Sequence, residues 1–277
     1  MTQGPETEPP ARTALARTLR YDGTWDKARA VEVPVEVPVN LVYGGMPHVV
    51  LMATPEHLED LALGFTLTEG IAASRSDIRA VAIRPADGGL VVDIDLVPEA
   101  MKRFLARRRN MAGRTSCGLC GVETLDQLTL REARLSGEAI ASPAIAKALQ
   151  ALSALQPLHG RTHAVHAAAW FSREGEALLA REDVGRHNAL DKMIGGCLIE
   201  GLAPEAGFAV ITSRCSFEMV EKAAMFGTST LVAISAPTSL AIERADALGI
   251  TLIAVARADT AMAFTDPSSQ PNRALIP

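Results

Sequence analysis

Residues 208–256 read FAVITSRCSFEMVEKAAMFGTSTLVAISAPTSLAIERADALGITLIAVA, and their rhythm decides the fold class. Short apolar runs at Phe208–Thr212, Thr230–Ser235 and Thr251–Ala256 alternate with helically spaced stretches at Ser216–Phe226 and Thr238–Leu248. Unbroken apolar runs suit strands buried on both faces, and the amphipathic stretches suit helices that cover them. The segment therefore predicts a layered α/β domain with a partly parallel sheet. Outward from it, strands are expected at His163–Phe171 and Ala177–Arg181, with helices at His187–Glu200 and from Ser142-Pro143 to about Leu155.

The first third has a different character. Val31, Val33, Val35, Val37 and Val39 alternate as in a strand, which Pro34 and Pro38 confine to an edge. A second strand is expected at His48–Ala53, and Thr54-Pro55 reads as a helix start, with Leu58, Leu61, Ala62 and Phe65 on one face. Asp87-Gly88-Gly89 joins strands Ile78–Arg84 and Leu90–Leu96 as a hairpin, followed by a helix from Pro98 to about Asn110. The expected division is a mobile tail (1–24), a small α+β domain (25–113), the larger α/β domain (114–265) and a C-terminal tail (266–277).

Composition bounds the function. With 277 residues, 48% hydrophobic and 21% charged, the chain is an ordinary globular protein rather than a disordered or collagen-like one. A net charge of −5 argues against sequence-independent nucleic-acid binding. Ala223–Ile242 carries no charge, but Gly227, Pro237 and six Ser/Thr break it into soluble elements, so no membrane association is expected. Met1–Pro10 is acidic and Pro-rich, without the basic-then-apolar pattern of a signal peptide, which leaves the cytoplasm as the expected compartment. Four cysteines are too few for a disulfide framework.

Two of those cysteines form a pair, Arg114-Thr-Ser-Cys117-Gly-Leu-Cys120-Gly121. Such a loop can cycle between dithiol and disulfide, supply half a zinc site, or carry a reactive thiolate. No second close pair completes a zinc site, although His163 and His166 could contribute, and the mid-chain position departs from a thioredoxin pattern. Lys102, Arg103, Arg107, Arg108, Arg109 and Arg114 precede the pair, with no acid between Met101 and Leu119. Cations beside a thiol favour the thiolate and attract anionic ligands; a solvated helix face is the plainer reading.

A second polar cluster, Arg181-Glu-Asp183-Val-Gly185-Arg186-His187-Asn188-Ala-Leu-Asp191-Lys192, falls where a strand gives way to a helix. Ligands of α/β sheets bind at such boundaries, which makes Asp183, Arg186, His187 and Asn188 site candidates. Asp191 and Lys192 can be explained as surface charges. Thr212–Ser216 and Ser235–Ser239 occupy equivalent boundaries, where Ser216 and Thr238 are also natural helix caps. Cys215 suits a small buried apolar role. Arg257, at the end of the last strand, could hold a phosphate.

Together, Thr-Ser-Cys117-Gly-Leu-Cys120-Gly, Glu182–Lys192, Ser213–Lys222, Ser235–Leu240 and Met52–Phe65 with Glu69-Gly70 resemble the FdhD family of formate dehydrogenase accessory sulfurtransferases, in the family's order from about residue 30 to 265. The resemblance implies that sulfur is taken from a cysteine desulfurase as a cysteine persulfide. It is then delivered to a molybdenum (or tungsten) bis(molybdopterin guanine dinucleotide) cofactor destined for formate dehydrogenase. This cofactor is the substrate of sulfuration, and no permanently bound metal is implied.

By position, Cys117 corresponds to the persulfide-bearing cysteine and Cys120 to its partner. The family's cofactor-contacting stretch corresponds to Val255, Ala256, Arg257, Ala258, Asp259 and Thr260, with Asp183, Arg186 and His187 as further candidates. A cytidine-deaminase-like larger domain and a homodimer are also implied, although the deaminases' zinc motif is absent. The rival reading is a non-catalytic chaperone for the molybdenum cofactor. Two departures stand out. Thr162-His163-Ala164 replaces the family's Thr-Gly-Gly, and Val255 stands where members often carry an aromatic residue.

Overall fold

The computed structural model describes residues 8–110, 133–257 and 259–267. The first part contains β1 (Ala11–Ala16), β2 (Arg29–Pro34), β3 (Val37–Tyr43), β4 (Met46–Ala53), α1 (Leu58–Thr68), β5 (Ile78–Ala86), β6 (Gly89–Leu96) and α2 (Pro98–Asn110). The second part contains α3 (Ser142–Ala151), α4 (Pro157–Thr162), β7 (His166–Ser172), β8 (Ala177–Asp183), α5 (Arg186–Glu200) and β9 (Gly207–Ile211). It continues through α6 (Phe217–Phe226), β10 (Thr230–Ala233), α7 (Ser239–Leu248), β11 (Thr251–Ala254) and β12 (Met262–Thr265).

The larger sheet has the order β12-β11-β10-β9-β7-β8. Strands β9, β10 and β11 are mutually parallel, and β7 is antiparallel to both β9 and β8. Every residue of β9 and β10 is buried, as strands covered on both faces require. One face packs Leu190, Ile194, Met219, Ala223 and Ala245 of α5, α6 and α7 against Ala209, Leu231 and Leu252. The other packs Ile145 and Ala148 of α3 against Phe208, Val210 and Val232. The expected mixed α/β architecture is therefore present.

A smaller four-stranded sheet, β4-β3-β6-β5, packs Val39, Leu41, Val92 and Ile94 beneath Leu61 and Phe65 of α1 and Phe104 of α2. Helix α1 then lies on α5, and here glycine decides the geometry. A Cβ on Gly64 would meet the Asp191 carbonyl oxygen at 1.8 Å, and one on Gly195 would meet that of Asp60 at 1.8 Å. The helices touch backbone to backbone at two reciprocal points, which only residues lacking a side chain permit.

Several expectations are corrected. The N-terminal stretch expected to be a mobile tail contains β1, which pairs with β2, while Ala11 packs with Leu158 and Val165. The single strand expected over Val31–Val39 divides into β2 and β3, which belong to different sheets. Helix α1 begins at Leu58 rather than at Thr54-Pro55: its N-cap is His57, and the Thr54 hydroxyl accepts instead from Val184 N. The α3 N-cap is Ala141 rather than Ser142. The short elements α4 and β12 were not expected. Of the C-terminal tail, residues 268–277 lie outside the described residues.

Candidate functional site

Because β8 runs in the same direction as β9, β10 and β11, their carboxyl ends meet along one sheet edge, together with the start of β7. Outside such an edge lie the free N–H groups of the following helices, where ligands of layered α/β folds bind. Asp183, Arg186 and His187 stand at its β8 end, and Val255–Arg257 at its β11 end. Four strand spacings of about 4.8 Å put these two groups roughly 19 Å apart.

Asp183 is fully buried. One carboxylate oxygen accepts from Gly185 N (2.7 Å) and Asn188 Nδ2 (3.0 Å), the other from Thr54 N (3.0 Å) and Lys192 Nζ (2.7 Å). With both oxygens occupied inside the protein, Asp183 orients the turn over residues 183–188 and does not reach a ligand, which corrects its expected contact with the cofactor. Lys192 is fully buried as well and also donates to Thr54 O at 2.9 Å. Burial pushes its ammonium below the ordinary lysine value, against the pull of Asp183. Asn188 Nδ2 donates to Met52 O at 2.8 Å, and Thr54 Oγ1 accepts from Val184 N at 3.2 Å. The end of β4 thus grips the turn that carries Arg186 and His187.

Two further charge pairs seal the contact between the layers. Lys222 reaches Asp191 (2.8 Å) and Glu69 (3.3 Å), and Thr68 Oγ1 donates to Asp191 at 2.8 Å. Burial opposes the Lys222 charge, but Asp191 and Glu69 outweigh it and hold the ammonium above its ordinary value. Arg181 pairs with Asp60 at 2.5 Å. Asp191 and Lys192 are therefore core charges rather than surface charges. No periodicity announces them, since their partners, Asp183, Thr54, Thr68 and Lys222, all sit on other elements.

At the surface of this end, His187 Nε2 lies 2.8 Å from Glu218 Oε2. A carboxylate only accepts, so Nε2 carries the hydrogen, and a neutral ring has its Nδ1 lone pair left to take a proton. Burial holds the His187 pKa below 6.5, against the pull of Glu218. The His166 pKa is lowered too, first by burial and then by the nearby Arg186 charge; His159 and Arg214 add to the effect. Arg186 Nε is buried and has no hydrogen-bond partner among the described residues. The edge thus combines cations with neutral imidazoles, a setting for an anionic ligand.

At the opposite end Val255 has φ 52°, a left-handed conformation that is rare for a β-branched residue and costs about 1–3 kcal/mol. Val255 N donates to Ser235 O (3.2 Å) and Ala256 N to Ala233 O (3.2 Å), fixing the strained turn. Ala256 is buried, whereas Arg257, Asp259 and Thr260 are exposed. Arg257 Nη1 donates to Ile234 O at 2.6 Å, and Arg257 N to Thr260 O at 2.7 Å. Ala258 lies outside the described residues. Between the two ends, Thr212 Oγ1 accepts from Ala167 N at 2.9 Å and extends the β7–β9 pairing, and Thr238 caps α7.

Cys117, Cys120 and Arg114 lie outside the described residues, as do the side chains of Arg107 and Arg109. In the preceding helix Arg103 is engaged by Asp77 and Ile71 O, Lys102 lies 3.9 Å from Glu99, and Arg108 is exposed. Cys197 and Cys215 are fully buried, and burial pushes both thiols up to about 12. Neither is a nucleophile at neutral pH.

Residues 34–270 match the FdhD/NarQ family. The chain belongs to that family. Among its FdhD relatives, the sulfur carrier protein FdhD of Bordetella parapertussis is 46% identical over 237 residues, covering 85% of this chain and 86% of the relative. That of Xanthomonas euvesicatoria pv. vesicatoria is 43% identical over 267 residues, covering 94% and 95%. A crystal structure of a proposed formate dehydrogenase accessory protein from Desulfotalea psychrophila has the same fold. Its TM-score is 0.74 at 22% identity, over 94% of this chain and 99% of that one. His163 closes α4 with φ 53°, a conformation that glycine adopts freely.

Proposed function

We propose that this protein is a sulfurtransferase. It accepts sulfur from a cysteine desulfurase on Cys117 and delivers it to the bis(molybdopterin guanine dinucleotide) cofactor required by formate dehydrogenase. Membership of a family whose relatives are named sulfur carriers supports the reading. The observation that carries it further is the state of the thiols. Cys197 and Cys215 are buried and pushed up to about 12, which leaves sulfur chemistry to the Cys117–Cys120 pair behind its basic helix.

The steps balance. The Cys117 thiolate attacks the terminal sulfur of the donor persulfide, the donor S–S bond breaks, and the donor leaves as a thiolate. On delivery, Cys120 attacks the inner sulfur of the Cys117 persulfide, and the terminal sulfur departs as sulfide to the metal. The two electrons come from the cysteine pair, which is left as a disulfide for an external thiol to reduce. The substrate's guanine dinucleotide arms are long and anionic. Cations at both ends of an edge roughly 19 Å wide, Arg186 and Arg257, suit such a ligand. A cytoplasmic homodimer with a cytidine-deaminase-like larger domain completes the proposal.

Peptide mass spectrometry after incubation with a cysteine desulfurase and cysteine tests it. The peptide containing Cys117 and Cys120 should gain one sulfur that reductant removes, and Cys117→Ala should abolish the gain without changing the fold. An unloaded protein, beside a control acceptor that is loaded, would favour a cofactor-binding chaperone instead.

A further inference from the structure

We infer that Thr54 is a positioning residue for the sheet-edge site, so that the smaller sheet sets ligand affinity through a residue that never meets the ligand. The inference rests on the reading that Arg186 and Arg257 bind the guanine dinucleotide. Thr54 is fully buried at the end of β4 and makes three contacts with the turn and the first part of α5. Its N–H donates to Asp183 (3.0 Å), its carbonyl accepts from Lys192 Nζ (2.9 Å), and its hydroxyl accepts from Val184 N (3.2 Å). Met52 O, two residues earlier, accepts from Asn188 Nδ2. These bonds bracket Arg186 and His187 on both sides in sequence, from 183 and 184 to 188 and 192.

The only side-chain component of the Thr54 clamp is its hydroxyl. Thr54→Val keeps the shape and both backbone bonds but strands the Val184 N–H. That amide recovers a protein partner only if the turn shifts, and Arg186 shifts with it. The Asp183–Lys192 pair and the α1–α5 contact are left untouched. The variant is therefore expected to separate affinity from stability.

The experiment measures guanosine diphosphate binding by calorimetry at two salt concentrations, beside thermal melts, for wild type, Thr54→Val, Thr54→Ser, Asn188→Leu, Arg186→Ala and Arg257→Ala. Thr54→Val should bind about tenfold more weakly, the equivalent of one hydrogen bond, and with a flatter salt dependence, because an arginine contact is displaced. Thr54→Ser, which restores the hydroxyl, should bind within about twofold of wild type. Asn188→Leu, which cuts the ties to Met52 O and to Asp183, should reproduce the weakening if Thr54→Val melts too low to assay. Thr54→Val and Asn188→Leu binding like wild type, while either arginine variant is weakened, would overturn the positioning role and leave the site intact. Unchanged binding by both arginine variants would instead overturn the placement of the site.

Discussion

Gly195 offers the sharpest test of the packing that builds the site, because two principles predict opposite signs. An alanine in mid-helix is worth up to about 1 kcal/mol over glycine, so helix propensity alone has Gly195→Ala stabilising the protein. The structure demands the reverse. The new Cβ would lie 1.8 Å from the Asp60 carbonyl oxygen, 2.6 Å from its carbon and 2.9 Å from its Cα. All three are backbone atoms, so no side-chain rotation relieves the clash and α1 must move off α5 by more than an ångström. Overpacking of this kind costs at least the upper end of about 1–3 kcal/mol, which leaves a net loss of about 2 kcal/mol after the helix gain. Moving α1 also strains the Arg181–Asp60 and Lys222–Glu69 bridges, which adds to the loss. Urea unfolding followed by circular dichroism reads the difference as a lower midpoint at unchanged slope. A Gly195→Ala protein as stable as wild type, or more so, would refute the backbone contact.

Two other outcomes follow from the buried charges and the histidines. Lys192→Met leaves Asp183 buried without its counter-ion and should cost about 3–5 kcal/mol, whereas the neutral double variant Asp183→Asn/Lys192→Met should recover most of it. Equal losses in the two, measured by urea unfolding, would refute the unpaired Asp183 charge as the source of the Lys192→Met cost. His57, His166 and His187 all have folded pKa values held below 6.5, chiefly by burial, so the unfolded chain takes up protons that the folded one refuses. Stability should therefore be full above pH 6.5 and decline as pH falls below it, with His166→Gln and His187→Gln flattening the slope. A urea midpoint that is flat or rising between about pH 7.5 and about pH 5.5 would contradict this assignment.

The alternation from β9 to β11 was legible to within one or two residues because buried strands and amphipathic helices have distinct periods. What escaped was set by distant partners. Thr54-Pro55 has the chemistry of a helix start, but the Thr54 hydroxyl is spent on Val184, and the helix begins three residues after Pro55. β1 lacks apolar periodicity because one half of a two-stranded ribbon buries little; its only buried residue is Ala11. The site shows the same split. Arg186, His187 and Arg257 are visible as polar residues at strand ends, whereas Asp183 is visible in position but misread in role. Lys192 and Lys222 are recognisable as core charges only once α1 is laid on α5. One signal was present: Gly195-Gly196 in mid-helix, a pair that costs helix stability and so implies a close neighbour.

Val255 shows that the sheet edge is not arranged for stability alone. Its left-handed backbone turns Ala256 into the α3 side of the core and brings the Arg257 guanidinium back to Ile234 O at the end of β10. Glycine would adopt that turn without the strain of about 1–3 kcal/mol, yet the position keeps a branched, half-buried side chain. The strain is tolerated because Ser235 O and Ala233 O hold the flanking amides, much as Thr54 and Asp183 hold the turn at the far end. Each end of the edge therefore has a backbone fixed by buried bonds and an arginine set on it. A long anionic ligand needs two such fixed points to be held in one orientation, and surface charges on mobile loops would bind it without orienting it.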